Sequence, residues 1–362
     1  MQIELISFTQ QGRIQAEKIK ELLKQELDLN MESKSDIKQN SKLTLGKNLT
    51  QHIEDIISCT DARAKEISLS DWCEYGFAHA SLLIMVGAMG IAVRGIAPFV
   101  KDKFTDPPVL VVDEKGTFVI PILSGHMGGA NQWAVTLAEL LTAIPVITTA
   151  TDLNKAFAVD VFAAKNKLCM QSREWAKEIS AAVLRGEEIE FACESTVQGV
   201  IPKKLVKEPR SHSISIGIHT GCNLYPKAVS VGIGCKKGKT MAELEEVIKK
   251  NLEKHGIAME SILCFSSVTQ KKEEPGILAC AKQYKIPFYT FSPQQLKETP
   301  GEYEDSTFVE QTIGIGNVCE RGAVKGLQEH APWEQIHVIQ KKTAENGITI
   351  AIAVKEWSVT FE

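Results

Sequence analysis

The densest run of chemically useful side chains is Leu123-Ser-Gly-His126-Met-Gly-Gly-Ala-Asn131, set between a strand-like apolar stretch and a helical one. Its glycines let a ligand approach the backbone closely, and the N-terminus of the following helix offers N–H donors to a carboxylate or oxyanion. A histidine ordinarily titrates near pH ~6.5, so His126 is the natural general acid or base of such a site. Ser124 lies outside any GxSxG elbow and is a poor nucleophile. A second glycine segment, Gly87-Ala-Met-Gly90-Ile-Ala-Val-Arg94-Gly95, also leads from a strand into a helix, where α/β folds bind ligands. It is not a GxGxxG fingerprint, and both close packing and an anion site are open to it. Thr148-Thr149-Ala-Thr151-Asp152 places hydroxyls and a carboxylate at the end of an expected strand; Asp152 can orient a histidine, accept a proton or cap the next turn. Lys101, Asp102, Lys103 and Asp106 form a charged loop that reads as solvated surface unless the substrate is polyanionic.

Other segments carry less. Gly234-Cys-Lys-Lys-Gly238-Lys239-Thr240 invites a phosphate-loop reading, but only three residues separate the glycines where the motif needs four. A capping box between Thr240 and Glu243 explains it better. Ser292 with Gln295 and Thr307 with Glu310 read as further caps. No HExxH, histidine pair at metal spacing or carboxylate cluster points to a bound catalytic metal.

The elements that must position these residues alternate. A strand at residues 2–8 precedes an amphipathic helix, and a polar stretch at residues 30–50 reads as an exposed insertion or linker. Beyond it come HASLLIMVGA (strand), MGIAVRGIAPFV (helix), PVLVVD and TFVIPIL (strands), GGANQWAVTLAELLT (helix) and IPVITTATD (strand). Pro121 lacks a ladder donor, so its strand is expected at an edge or ending there. After a less regular middle, VSVGIG opens a second α/β series that closes with TIGIG read as a strand, a helix near 318–328 and two strands. The fold class is therefore α/β and multi-domain, with mainly parallel sheets flanked by helices. Its expected parts are an N-terminal α/β domain at 1–132, a middle region at 133–226 and a separate C-terminal α/β domain at 229–362.

Composition bounds the function. The 362 residues carry a net charge of −4, which disfavours a nucleic-acid platform, and 44% hydrophobic residues suffice for several cores. Nine cysteines without a CxxC pair fit a reducing cytoplasm rather than a disulfide framework. A 19-residue stretch free of Asp, Glu, Lys and Arg, residues 75–93, contains His79, Ser81, Gly87 and Gly90 and reads as a buried strand and turn, not a membrane span.

VGAMGIAVRGIAPFVKDKFTDPPVLVVDEKGTFVIPILSGHMGGANQWA, with IPVITTATD, FAVDVFAAKNKL, VSVGIGCKKGKT, EEPGILACAKQYKIPFYTFSPQQL and IGIGNVCERGA, resembles the cobalt-precorrin-5A hydrolase family over about residues 75–355. The resemblance implies an enzyme of anaerobic cobalamin biosynthesis that opens the δ-lactone of cobalt-precorrin-5A with water and releases acetaldehyde, giving cobalt-precorrin-5B. The cobalt then belongs to the tetrapyrrole substrate and no cofactor is expected. On this reading His126 activates water or shuttles protons, Asp152 orients that base, the Gly128 and Gly129 amides hold the oxyanion, and Glu320 contributes from the C-terminal domain. Arg94, Lys101 and Lys103 engage substrate carboxylates and should face one cavity with His126. Gly87, Gly90, Ser124, Asn131, Thr149, Thr151 and Gly234 complete the expected contacts. Residues 30–50 and 186–226 fit the family pattern poorly. A non-catalytic tetrapyrrole carrier is the alternative, and a homo-oligomer or transient contact with enzymes of the same route stays open.

Overall fold

A computed structural model describes residues 2–36, 56–64, 66–102, 105–126, 128–153, 156–306, 310–311 and 314–361, which form two compact units, Met1–Ala156 and Phe157–Glu362. The first unit holds β1 (Ile3–Ser7), α1 (Gln10–Asp36), β2 (Ile57–Asp61), α2 (Leu69–His79), β3 (Leu82–Val86), α3 (Met89–Ile96), β4 (Val109–Val112), β5 (Phe118–Leu123), α4 (Ala130–Leu141), β6 (Ile144–Pro145) and α5 (Ala150–Leu153). Its sheet runs β2-β1-β3-β4-β5-β6. Every residue of β1, β3 and β4 is buried, as expected of parallel strands covered on both faces. One face packs under α1 and α4, the other under α2 and α3. Ala130, Ala134, Leu137 and Ala138 of α4 are buried on this sheet, so the unit continues past residue 132.

β5 is antiparallel to β4 and reverses the sheet's polarity. β6 pairs only with Phe118 and Val119, leaving the Pro121 end of β5 without a neighbour on that side, where a residue lacking N–H is tolerated. Two expectations are corrected here. α1 runs to Asp36, so residues 30–36 are helical, and the rest of the anticipated insertion to residue 50 lies outside the described residues. IPVITTATD yields only the two-residue β6 followed by α5, because after Val146 N–H donates to Val119 O the next ladder donor on β5 would be Pro121, which has no N–H.

The second unit holds α6 (Val159–Lys165), β7 (Leu168–Met170), α7 (Arg173–Leu184), β8 (Ile189–Cys193), β9 (Thr196–Gln198), β10 (Leu205–Val206), β11 (Ser213–Ile216) and β12 (Leu224–Pro226). It continues with β13 (Val229–Cys235), α8 (Met241–Lys254), β14 (Ile262–Val268), α9 (Pro275–Tyr284), β15 (Phe288–Phe291), α10 (Pro293–Lys297), α11 (Cys319–Gln328), β16 (Ile336–Glu345), β17 (Ile348–Lys355) and β18 (Ser358–Thr360). One sheet orders as β10-β8-β11-β12-β7 and a second as β15-β14-β13-β17-β16. β18 pairs with β9.

Alternation along VSVGIGC explains its composition. Val229, Val231 and Ile233 join the core with α8 and α9, while Ser230 and Gly232 face α11, whose Gly322 and Gly326 approach Ser266, Cys264 and Ser230. The described part of TIGIG, Gly314–Gly316, is a bend rather than a strand: Ser306 N–H donates to Gly316 O (2.9 Å) and Asn317 Nδ2 to Glu304 O (3.1 Å), tying it to a neighbouring loop instead of a sheet.

The Thr240 and Ser292 capping boxes are formed as expected, whereas Thr307 lies outside the described residues. Hydrogen bonds from Lys239, then from Thr240, lower the Glu243 pKa from 4.5 to about 2. A depressed carboxylate stabilises the fold above its unfolded pKa, and this contribution fades as pH falls toward the folded value. Glu243→Gln should therefore lower Tm at neutral pH and flatten its acid-side decline between pH 4.5 and about 2, measured by thermal melts across pH.

Candidate active site

Register decides which edge of the first sheet each loop occupies. Leu123 lies opposite Val109, which pairs with Leu83, so the loop after β5 emerges at the amino ends of β3 and β4. There the chain is clamped. Ser124 is buried with a left-handed φ of 54°, and its Oγ donates to Asp106 O (2.8 Å). Asp106 Oδ2 accepts the Lys101 and Asp102 N–H groups (2.8 and 3.0 Å), binding the charged loop to the glycine loop. Asn131, also buried, donates to Thr149 Oγ1 (2.9 Å). A Cβ on Gly128 would lie 2.6 Å from that of Ser124, so the close approach requires glycine. The structure thus gathers Lys101, Ser124, His126, Gly128, Asn131 and Thr149 at one edge, with His126 half-buried and Lys101 exposed. A residue held at positive φ without being glycine stores strain of the kind found at ligand sites.

The first amides of α4 are partly consumed in closing this loop. Gly129 N–H donates to His126 O (3.1 Å), Ala130 N–H to Ser124 O (3.2 Å) and Asn131 N–H to Gly125 O (3.0 Å). Lys103 and the side chains of Thr151 and Asp152 lie outside the described residues.

Gly87, Gly90 and Arg94 are not brought to this edge. Gly87 follows Val86 at the carboxyl end of β3, and the Arg94 Nη1 donates back to Gly90 O (3.1 Å), toward the same end. Each segment does follow a strand, but the antiparallel turn of β5 sends the two to opposite edges.

The second unit carries a cavity of about 940 Å³ beyond the carboxyl ends of β13 and β14, the ligand-binding position of open α/β sheets. Gly234 lies in its wall, with Ser267, Val318, Cys319, Ile348 and Thr349. Lys236, Lys237, Lys271 and Lys342 line it against Glu273 and Glu274. Glu274 is buried and fully engaged, accepting from Gly238 N–H (2.7 Å) and Lys271 Nζ (2.8 Å). Burial opposes its ionised form, but those two donors outweigh it and the pKa is lowered. The Gly238 amide and Lys239, which a phosphate loop would direct at its ligand, are thus held by carboxylates. Burial pushes the Cys235 thiol up, and that of Cys319 to about 12, so neither is a thiolate nucleophile at neutral pH.

Glu320 sits just behind this wall. It is buried, its N–H donates to Asn317 Oδ1 (3.0 Å), and its Oε1 accepts from Lys342 N–H (2.8 Å). β16 shifts register between Gln340 and Thr343, and Glu320 satisfies the Lys342 amide within that irregular stretch. Bulges of this kind re-aim side chains beside binding sites. Lys342 had no local signal in the sequence, because only this irregularity carries it to the cavity. Lys236 and Lys237 were visible but lay in a segment explained by capping.

Comparison with known proteins covers both regions. Residues 71–152 match the family described as Cobalamin synthesis G N-terminal, and residues 229–353 match Cobalamin synthesis G C-terminus. The chain is 33% identical over 300 residues to the cobalt-precorrin-5A hydrolase of Salmonella typhimurium, spanning 77% of this chain and 83% of that one. It is 32% identical to the cobalt-precorrin-5A hydrolase of Priestia megaterium, over 75% of this chain and 78% of the relative. A probable cobalt-precorrin-5A hydrolase of Methanocaldococcus jannaschii is 27% identical over 86% of this chain and 96% of its own. With a clamped histidine loop in the first matched segment and a lysine-rimmed cavity in the second, the chain belongs to the cobalt-precorrin-5A hydrolase family.

Proposed function

We propose that this protein is a cobalt-precorrin-5A hydrolase of cobalamin biosynthesis, opening the δ-lactone with water and releasing acetaldehyde to form cobalt-precorrin-5B. The observation that carries the reading is the 33% identity over 300 residues to a hydrolase of that name. His126 takes the proton from the attacking water, on a loop whose clamps at Ser124 and Asn131 hold it in place. The lactone oxyanion falls to the Gly128 amide, since the Gly129 N–H closes on His126 O. Lys101, on the adjoining loop, supplies positive charge for a substrate carboxylate. The cobalt enters and leaves with the substrate. No helix among the described residues is long and apolar enough to cross a membrane, and the cysteine pattern supports a cytoplasmic setting.

The test is incubation with cobalt-precorrin-5A, following acetaldehyde and the mass of the product. Acetaldehyde in step with loss of the lactone mass is expected. Stoichiometric binding with no acetaldehyde would replace catalysis by carriage.

A further inference from the structure

Lys239, Lys249, Lys250 and Lys271 each lie beside a carboxylate. Three lysines that line the C-terminal cavity form no such pair. Among the described residues no carboxylate forms an ion pair with Lys236, Lys237 or Lys342, and all three line one concavity. Of the two glutamates there, Glu274 is neutralised by Lys271 and Gly238 N–H, and Glu273 lies 3.6 Å from Lys272. The cavity therefore presents uncompensated positive charge above a wall of glycine, valine, isoleucine and cysteine.

The positions are built into the backbone. Lys236 N–H donates to Gly347 O (2.9 Å), and a Cβ on Gly347 would lie 3.0 Å from Lys236 Cδ, so the lysine stem lies over the Asn346-Gly347 turn. Both turn residues have positive φ, 52° and 73°, as a tight hairpin demands. Lys342 is presented from the irregular stretch of β16, with its amide held by Glu320. At about 940 Å³, the cavity is near the top of the roughly 300–1,000 Å³ range of small-molecule sites. It is far too large for water or a two-carbon product.

We infer that this cavity anchors the substrate's macrocycle, its apolar wall against the ring and Lys236, Lys237 and Lys342 on the peripheral carboxylates. The inference rests on the hydrolase reading and deepens it by assigning recognition of the polycarboxylate to the C-terminal sheet. A nucleotide or phosphate fits less well, because the amide and lysine that would cradle it are already held by Glu274 and Glu243.

The experiment uses the full chain with Lys236, Lys237 and Lys342 all changed to Gln, beside a control with Lys177, Lys203 and Lys282 changed to Gln. The two variants lose equal charge and should melt alike. The cavity variant should raise KM for cobalt-precorrin-5A roughly ten- to hundredfold, with kcat falling far less, as loss of solvent-rimmed ion pairs predicts. Added salt should raise KM for the wild type and the control and have little effect on the cavity variant. Equal KM in the two variants would overturn the inference. Should the wild type release no acetaldehyde, the hydrolase reading fails, and spectral titration with the same compound still decides the cavity: weakened binding confined to the cavity variant supports it, and unchanged binding refutes it.

Discussion

Gly232→Ala should cost about 3 kcal/mol or more, at the upper end of overpacking, and lower the Tm of the second unit by roughly 6–12 °C. Gly232 lies mid-sheet, paired with Ser266 on one side and Ala351 on the other, so the strand cannot step away. A Cβ there would stand 1.8 Å from Cys319 O and 2.8 Å from Ala323 N, all backbone of α11. Relief would require moving that helix, whose Cys319, Ala323, Val324 and Leu327 are buried against the sheet. Gly186→Ala is the control. Gly186 has φ 81° with nothing within 4 Å of its Cβ position, so it loses only the left-handed preference, about 1–2 kcal/mol. Thermal melts of the two variants would show the difference, and equal shifts would mean that α11 accommodates the methyl.

The second large effect is on rate. His126→Ala and His126→Asn should each reduce kcat for acetaldehyde release by about 10²- to 10⁴-fold, the span of a lost general base. KM should change little, because on the proposed reading lysines, not the imidazole, engage the macrocycle's carboxylates. Folding should survive, since Ser124, Asp106 and Asn131 fix the loop. Asparagine keeps a polar side chain near the same place without a basic nitrogen, so activity in His126→Asn would point to positioning rather than proton transfer. Normal turnover in both variants removes His126 from the mechanism.

These two residues differ in how far sequence leads. SGHMGGAN is chemically conspicuous, and its glycines, serine and asparagine do form a clamped loop. Its edge of the sheet was not visible, because a strand pattern carries no direction: the period of two reads the same for parallel and antiparallel pairing. β5 runs antiparallel, and that one reversal separates His126 from Gly87, Gly90 and the Arg94 guanidinium. Glu320 illustrates the converse. Its acidic type suggested chemistry, and the structure adds what no local pattern showed: it is buried and accepts the Lys342 amide within an irregular stretch of strand.

What the amino-acid sequence determined by itself was local or cumulative. Apolar runs placed the buried strands, Thr240 with Glu243 and Ser292 with Gln295 announced their helices, and long ordered motifs carried the family. These properties depend on neighbours within a turn or two, or on many residues in fixed order. The tertiary structure alone decided which loops share a sheet edge, which lysines stay unpaired around one cavity, and why Gly232 has no room for a methyl group. Each of those rests on contacts between segments distant in the chain, set by strand direction, register and helix packing.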